Sequence, residues 1–281
     1  MAAVAFGILI AAAFGCGDFA GGQASASAST LAVLTIAQGC SLAGAAVLSV
    51  VVASHAGASD VAYGALAGAV NVIGLGTLYR ALARHAAGVV APLTAVVAAM
   101  VPIAWGLLHG ERPSVLVLVG IVLAVAGAGL LARSDAAAGP GALARGVMPA
   151  LGAGIALGSS LVFYSESSAA SGQIPVLAGR AAGFVCVMAA FLVARRRGAV
   201  RAPTGSARNL AIGAGQLDVS ATALLVVAIR HELLSVVAPL AALAPGWTVL
   251  LAVLVTRERL GPAQRAGLLV ALVALVLIAA G

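Results

Sequence analysis

Long apolar runs, separated by short connectors, occupy most of the sequence. There are ten, near residues 2–20, 31–53, 61–80, 87–108, 114–132, 146–165, 174–194, 208–228, 234–255 and 263–280. Each is close to the roughly 20 residues that an α-helix needs to cross the hydrocarbon core of a bilayer. Both faces stay apolar over long stretches, whereas the strands of a membrane barrel alternate at every second residue. We therefore predict an all-α, multi-pass membrane protein in a plasma (inner) membrane.

The charges support a membrane environment over a nucleic-acid partner. Only 8% of the 281 residues are charged, against about 25% in soluble domains. The fifteen basic residues are all arginine, and they cluster in connectors such as "ARRRGAVR" (194–201), where they would meet anionic headgroups. The three cysteines lie inside apolar runs without metal-type spacing, so we predict no metal and no other cofactor.

Two phrases show that the chain contains an internal repeat. "ARHAAGVVAPL" begins at Ala83, and "IRHELLSVVAPL" begins at Ile229. An offset of 147 positions joins Pro92 to Pro239, Glu111 to Glu258 and Gly120 to Gly267. We predict a first five-helix repeat over 1–135, a linker over 136–145 and a second repeat over 146–281. Because five is odd, the second copy enters the membrane from the opposite side, as in alternating-access carriers with inverted repeats.

The arginines are distributed unevenly between connectors. The connectors after runs 3, 5, 7 and 9 contain most of the arginines, whereas the connectors after runs 4 and 8 contain only Arg112 and Arg230. We expect the arginine-rich connectors to share one membrane face. Under the positive-inside rule that face is cytoplasmic, and both termini lie on the other side.

Three stretches carry a likeness to a known family: "FGCGDFAGG" (14–22), "YRALARHAAGVVAPLTAVVAAMVPIAWGLLHGERPS" (79–114) and the final segment from "SVVAPLAALAPGW" onward (235–281). With these motifs the chain resembles the EamA-like family of the drug/metabolite transporter superfamily. The resemblance implies ten helices around a central cavity. It also implies a permease for small organic metabolites, amino acids or related amphiphilic solutes, acting in efflux.

Polar side chains inside the runs are candidate binding groups, because a charge at a helix centre costs roughly 2.5–3.5 kcal/mol to insert. Asn71 and Asp218 occupy equivalent positions of the two repeats. We predict that they face a shared axis and bind substrate or a proton; the alternative is a structural contact between helices. Further candidates for binding substrate or protons are Asp18, Gln38, Gln216, Tyr164, Ser160 and Trp247. Glu166 and Arg180 are predicted to form an ion pair.

Prolines recur in equivalent runs of the two repeats. Pro92 and Pro102 lie in run 4, and Pro239 and Pro245 lie in run 9. Proline removes a backbone donor inside a helix. Paired breaks are typical of a transport pathway, so we predict hinges at these positions, with simple kinks as the alternative.

The sequence favours a secondary carrier over an enzyme or a channel. It contains no Walker-type glycine loop, and it shows no filter loop or charged ring of an ion channel. The alternative is a membrane enzyme, because His55 and Asp60 have the H-x4-D spacing of lipid acyltransferases. The predicted partners are a small-molecule substrate, protons as a candidate coupling ion and the lipid bilayer, with no nucleic acid.

Overall fold

The computed structural model describes residues 2–51, 55–110, 112–136, 146–198, 200–230 and 241–280. All regular structure within these ranges is helical, and it contains no β-strand. The helices are α1 (Ala2–Ser27), α2 (Thr30–Val51), α3 (Ala58–Leu82), α4 (Ala87–Leu108), α5 (Val115–Ala136), α6 (Val147–Ser165), α7 (Ile174–Arg196), α8 (Gly205–Arg230), α9 (Ala244–Val255) and α10 (Pro262–Ala280). A short 3₁₀ turn, Ala169–Ser171, precedes α7.

Seven of the described helices are long and apolar enough to cross a membrane: α1, α2, α3, α4, α6, α7 and α10. The apolar parts of α5 and α9 are shorter. These features confirm the prediction of a helical, multi-pass membrane protein.

The end of α1 lies seven positions beyond its predicted position. The helix continues past residue 20 through "GGQASAS" to Ser27, although glycine and serine are typical of helix ends. Gly21 lies against the ring of Tyr79, and Gly22 lies against Leu82. Small residues here allow α3 to approach α1 closely, so they serve packing between helices.

The connectors divide between two faces of the bundle. Ser29, after α1, and Arg201, after α7, exchange two hydrogen bonds of 2.9 Å each. Glu258, after α9, accepts hydrogen bonds from the N–H groups of Ala87 and Gly88 at the start of α4, both 3.0 Å long. Ser29, Arg84 and Arg201 also line one cavity, so the connectors after α1, α3, α7 and α9 lie on one face, called the basic face below. This agrees with the shared face predicted for the connectors after runs 3, 7 and 9, whereas the predicted connector after run 5 lies, over 137–145, outside the described residues.

Glycines set the crossing of α3 and α7. A Cβ atom at Gly64 would meet the backbone of Pro175, and one at Gly68 would meet the backbone of Gly179. Neighbouring helices in a bilayer associate through close backbone contact, because no hydrophobic drive exists between them. The crossing brings the first turns of α7 against α3 and thereby positions Arg180.

Most helix packing joins the two halves of the chain. α1 packs on α8 and α9, and α3 packs on α6 and α7. α2 lies against α7 and α8, α4 lies against α6, and α5 pairs with α10. The functional residues of one half are therefore surrounded by helices of the other.

Candidate functional site

An ion pair joins α7 and α8 inside the bundle. Arg180 Nη1 lies 2.7 Å from Asp218 Oδ2, and the two side chains are only 12% and 21% exposed. It is the one ion pair in the part of the chain that the structure describes. Charges within a membrane protein are costly to bury, and they usually serve binding or transport when retained.

The partners of Asp218 and Arg180 hold the pair in a defined geometry. Ser41 of α2 is 1% exposed and donates a 2.7 Å hydrogen bond to Asp218 Oδ2. Arg180 Nη2 donates to Thr222 Oγ1 at 3.3 Å, and the Thr222 hydroxyl donates to the Asp218 carbonyl at 2.9 Å. Arg180 Nε is buried and has no hydrogen-bond partner. The guanidinium therefore retains a donor for a further anionic or carbonyl group.

Three more polar side chains surround this pair. Asp18 of α1 is half-buried and lies close enough to Asp218 for the charges to interact. Tyr79 of α3 is 3% exposed, its ring lies against Gly21 of α1, and it lies within range of the charges of Asp18, Asp218 and Arg180. The Tyr164 hydroxyl of α6 contacts Gly179, next to Arg180. We call these five residues the ionic centre; it draws on α1, α3, α6, α7 and α8.

Asn71 lies in a separate contact. Its amide donates to Ser160 Oγ of α6 at 3.4 Å, and the Ser160 hydroxyl donates to the Leu157 carbonyl at 2.7 Å. The described residues show no hydrogen bond between Asn71 and Asp218. The two equivalent positions therefore contact different helices, α6 for Asn71, and α2 and α7 for Asp218.

The remaining candidates lie at varying distances from the ionic centre. Gln38 is buried, 4% exposed, and its side chain lies beside Gly183 on α7. Trp247 is half-buried, with its Cβ atom close to Gly15 of α1. Gln216 is exposed. It precedes Asp218 by two positions on α8, and two positions correspond to about 200° around the helix. Gln216 therefore faces away from the ionic centre.

The prolines fall in three different settings. Pro92 and Pro102 lie inside α4, which remains one helix from Ala87 to Leu108. Pro245 lies in the first turn of α9, where the missing N–H group has no helical acceptor to lose. Pro245 comes just after a turn at 242–243, so it stands at a helix boundary, and its role as a hinge stays a prediction. Pro239 lies outside the described residues.

Sequence reasoning missed the partner of Arg180. The predicted ion pair with Glu166 is wrong, because Glu166 Oε1 accepts a 3.1 Å hydrogen bond from Trp105 Nε1 and Arg180 pairs with Asp218. The available signal was the depth of Arg180, six positions into an apolar run. Ser41 and Tyr79 gave no comparable signal, since serine and tyrosine are common in membrane helices.

Asp60 has a structural environment. Its carboxylate accepts hydrogen bonds from the N–H groups of Gly57 and Ser168, 2.8 and 2.7 Å long, and from Ser168 Oγ at 3.1 Å. The His55 side chain is exposed. Asp60 thus fixes the start of α3 to the connector between α6 and α7, and its geometry does not support a carboxylate that orients His55 as a base.

A groove of about 430 Å³ opens between α3, α4 and α6 near the face opposite the basic face. Its lining includes Tyr63, Trp105, Ser159, Phe163 and Glu166. The volume falls within the range of small-molecule sites. We call it the α4–α6 groove, and its α6 wall belongs to the same helix as Ser160 and Tyr164.

Comparison with known proteins gives no independent assignment. No family model matches the chain, and no curated protein is significantly similar to it. In the described ranges, no three His, Cys, Asp or Glu side chains lie together in a way that would hold a metal ion. The resemblance to EamA-like transporters therefore stays a prediction, and the ionic centre is the feature from which a function is inferred.

Proposed function

We propose that this chain is a secondary transporter of small organic metabolites, working by alternating access between two inverted five-helix repeats. The observation that carries the proposal is the Arg180–Asp218 ion pair inside an apolar helical bundle. A purely structural pair of this kind is expected to be replaceable by apolar residues at little cost to stability. A binding site for a charged solute needs both charges.

The pattern of helix packing supports two related repeats. Each helix has its counterpart five places away in the chain. When every helix is replaced by its counterpart, the α1–α8 pair becomes the α6–α3 pair, and both pairs pack. The same exchange turns α2–α8 into α7–α3 and α4–α6 into α9–α1, and these also pack. The α5–α10 pair is its own counterpart. This exchange is expected of two copies related by a twofold axis.

Equivalent residues support the same relation. The motif "AFGCGD" from Ala13 aligns with "ALGSSL" from Ala156, which makes Gly17 the counterpart of Ser160. Ser160 contacts Asn71, and Gly17 lies against Leu217 and Asp218. The α6–α3 contact at Ser160 and Asn71 thus corresponds to the α1–α8 contact at Gly17 and Asp218.

The ionic centre suits a solute that carries both charges. A substrate ammonium group would bind the Asp218 carboxylate and displace Arg180 from it. The freed guanidinium, with its unpartnered Nε, would bind a substrate carboxylate. Asp18 is the candidate for proton exchange, and Tyr164 supplies a further hydrogen bond. Amino acids and related amphiphilic solutes fit this pattern, and efflux is the expected direction.

Access to the centre is proposed to run through the α4–α6 groove. Its α4 wall contains Trp105, close to Pro102, whose missing donor loosens the helix locally. Movement of α4 against α6 would change the width of the groove. Pro92 and Pro102 are therefore the proposed hinge positions in the first repeat.

The test is counterflow in proteoliposomes that contain the purified full chain, with a panel of labelled amino acids and other small metabolites at two pH values. We expect uptake above empty liposomes for at least one solute and loss of that uptake in Asp218→Asn. The control is Ser220→Ala, an exposed polar residue on the same helix. Uptake by Asp218→Asn equal to that of wild type would overturn the assignment.

A further inference from the structure

A second, separate feature lies on the outside of the bundle. A groove of about 510 Å³ runs between α2, α3 and α7. Its walls are apolar over most of their length, formed by Leu31, Leu34, Val72, Ile73 and Val187. Ile73 is 64% exposed, so the groove opens laterally, toward the position of lipid. We call it the lateral groove.

The lateral groove ends in a cluster of arginines at the basic face. Arg80 and Arg84 line its end. They also line an adjoining cavity of about 480 Å³, which adds Arg201 and the segment 25–29, from the last turn of α1 to the connector before α2. We call this cavity the arginine basin. Thr30 and Leu31 belong to both spaces, so the polar basin and the apolar groove are continuous.

The basin contains polar groups without partners. Arg80, Arg84 and Arg201 make no ion pair with any carboxylate among the described residues. Ser25 Oγ, which lines the basin, is buried and has no hydrogen-bond partner. Three guanidiniums and an unsatisfied hydroxyl form a site for a compact anion with several oxygen acceptors, such as a phosphate ester.

We propose that the basin and the lateral groove together bind one anionic phospholipid, with the headgroup phosphate on Arg80, Arg84 and Arg201 and an acyl chain along α2, α3 and α7. A basic pocket between membrane helices, at the level of the headgroups, is suited to this class of ligand. The apolar groove selects a lipid over a soluble phosphate because it leads away from the basin along the lipid-facing surface.

The headgroup is tested with the purified full chain in detergent, by titration with phosphatidylglycerol or phosphatidylcholine and native mass spectrometry. We expect phosphatidylglycerol to bind about ten-fold more tightly than phosphatidylcholine. The triple variant Arg80→Gln, Arg84→Gln, Arg201→Gln is expected to lose this preference. The matched control, Arg208→Gln, Arg259→Gln, Arg265→Gln, removes the same charge from the same face and should retain it. An equal loss in both triple variants would show a general surface charge effect and overturn the site.

The acyl chain is tested by Ala190→Trp, which places a large side chain in the lateral groove and leaves the arginines intact. We expect this variant to bind phosphatidylglycerol several-fold more weakly while it retains the wild-type unfolding temperature in the absence of lipid. Glycerol phosphate, which lacks the chains, should compete poorly. Unchanged lipid binding by Ala190→Trp, or competition by glycerol phosphate at the lipid's own concentration, would overturn a lipid site.

Discussion

Arg180 and Asp218 illustrate how one pair of side chains can serve both stability and binding. Each charge offsets the burial of the other, and Ser41 and Thr222 fill further hydrogen-bonding positions. Removing one partner of a buried pair leaves an uncompensated charge, which destabilises proteins by about 3–5 kcal/mol. Replacing both residues by apolar residues of similar volume destabilises a protein far less. The two kinds of change therefore separate the structural role from the binding role.

We expect Asp218→Ala to lower the unfolding temperature in detergent and to abolish transport, because Arg180 then has no counter-ion. The double variant Arg180→Met, Asp218→Leu should recover most of the lost stability and remain inactive. Thermal unfolding and counterflow are measured on the same preparations. Recovery of transport in the double variant would show that the ion pair has no part in recognition.

His55 tests the alternative of a membrane enzyme. Its side chain is exposed, and the Asp60 carboxylate already accepts hydrogen bonds from the N–H groups of Gly57 and Ser168. We expect His55→Ala to retain transport within about two-fold, because no hydrogen bond of the ionic centre involves it. The measurement is initial counterflow rate at matched protein content, and a complete loss of activity would favour chemistry at His55.

At the scale of the helix, the α3–α7 crossing depends on glycine at positions where side chains would overlap backbone. Gly68→Ala should destabilise the protein by about 1–3 kcal/mol, the usual range for overpacking. Gly152→Ala is the matched control, since nothing lies within 4 Å of its added methyl group. There we expect an unchanged or higher unfolding temperature, because alanine favours helix by about 1 kcal/mol. Equal effects of the two substitutions would contradict the crossing.

The start of α4 has no side-chain cap of its own, since Ala86 occupies the N-cap position. Glu258 supplies both acceptors from the connector before α10. We expect Glu258→Ala to destabilise the protein by about 0.5–2 kcal/mol, with Glu258→Gln intermediate because its amide retains one acceptor. Hydrogen exchange at Ala87 and Gly88 measures the local effect. Unaltered exchange in Glu258→Ala would exclude the cap.

Helix positions were predictable where lipid thickness alone sets the length. The apolar run 87–108 coincides with α4, and 174–194 lies within α7. The extension of α1 to Ser27 was not predictable, because its small residues are explained only by their contacts with Tyr79 and Leu82. The partner of Arg180 depends on how α7 and α8 meet through α2, a tertiary relation that no local pattern encodes.

At the scale of the molecule, the division of the connectors between two faces predicts which positions can be labelled from the same side of a membrane. His55 and Thr204 are exposed and lie on opposite faces. In a background with Cys16, Cys40 and Cys186 replaced by alanine, a single cysteine is placed at either position. A membrane-impermeant maleimide, added to sealed vesicles of one orientation, should label one variant and spare the other. Labelling of both from the same side would contradict the assignment of connectors to faces.

The hydrogen bonds of Glu258 have a consequence for hydration. The carboxylate comes from one half of the chain, and the amides of Ala87 and Gly88 come from the other. Any motion that separates the two halves at this face breaks both hydrogen bonds together and leaves the two N–H groups without the Glu258 carboxylate. Hydrocarbon offers no replacement, whereas water does. Opening at the basic face must therefore bring water to the N–H groups at the start of α4 before it can admit a solute.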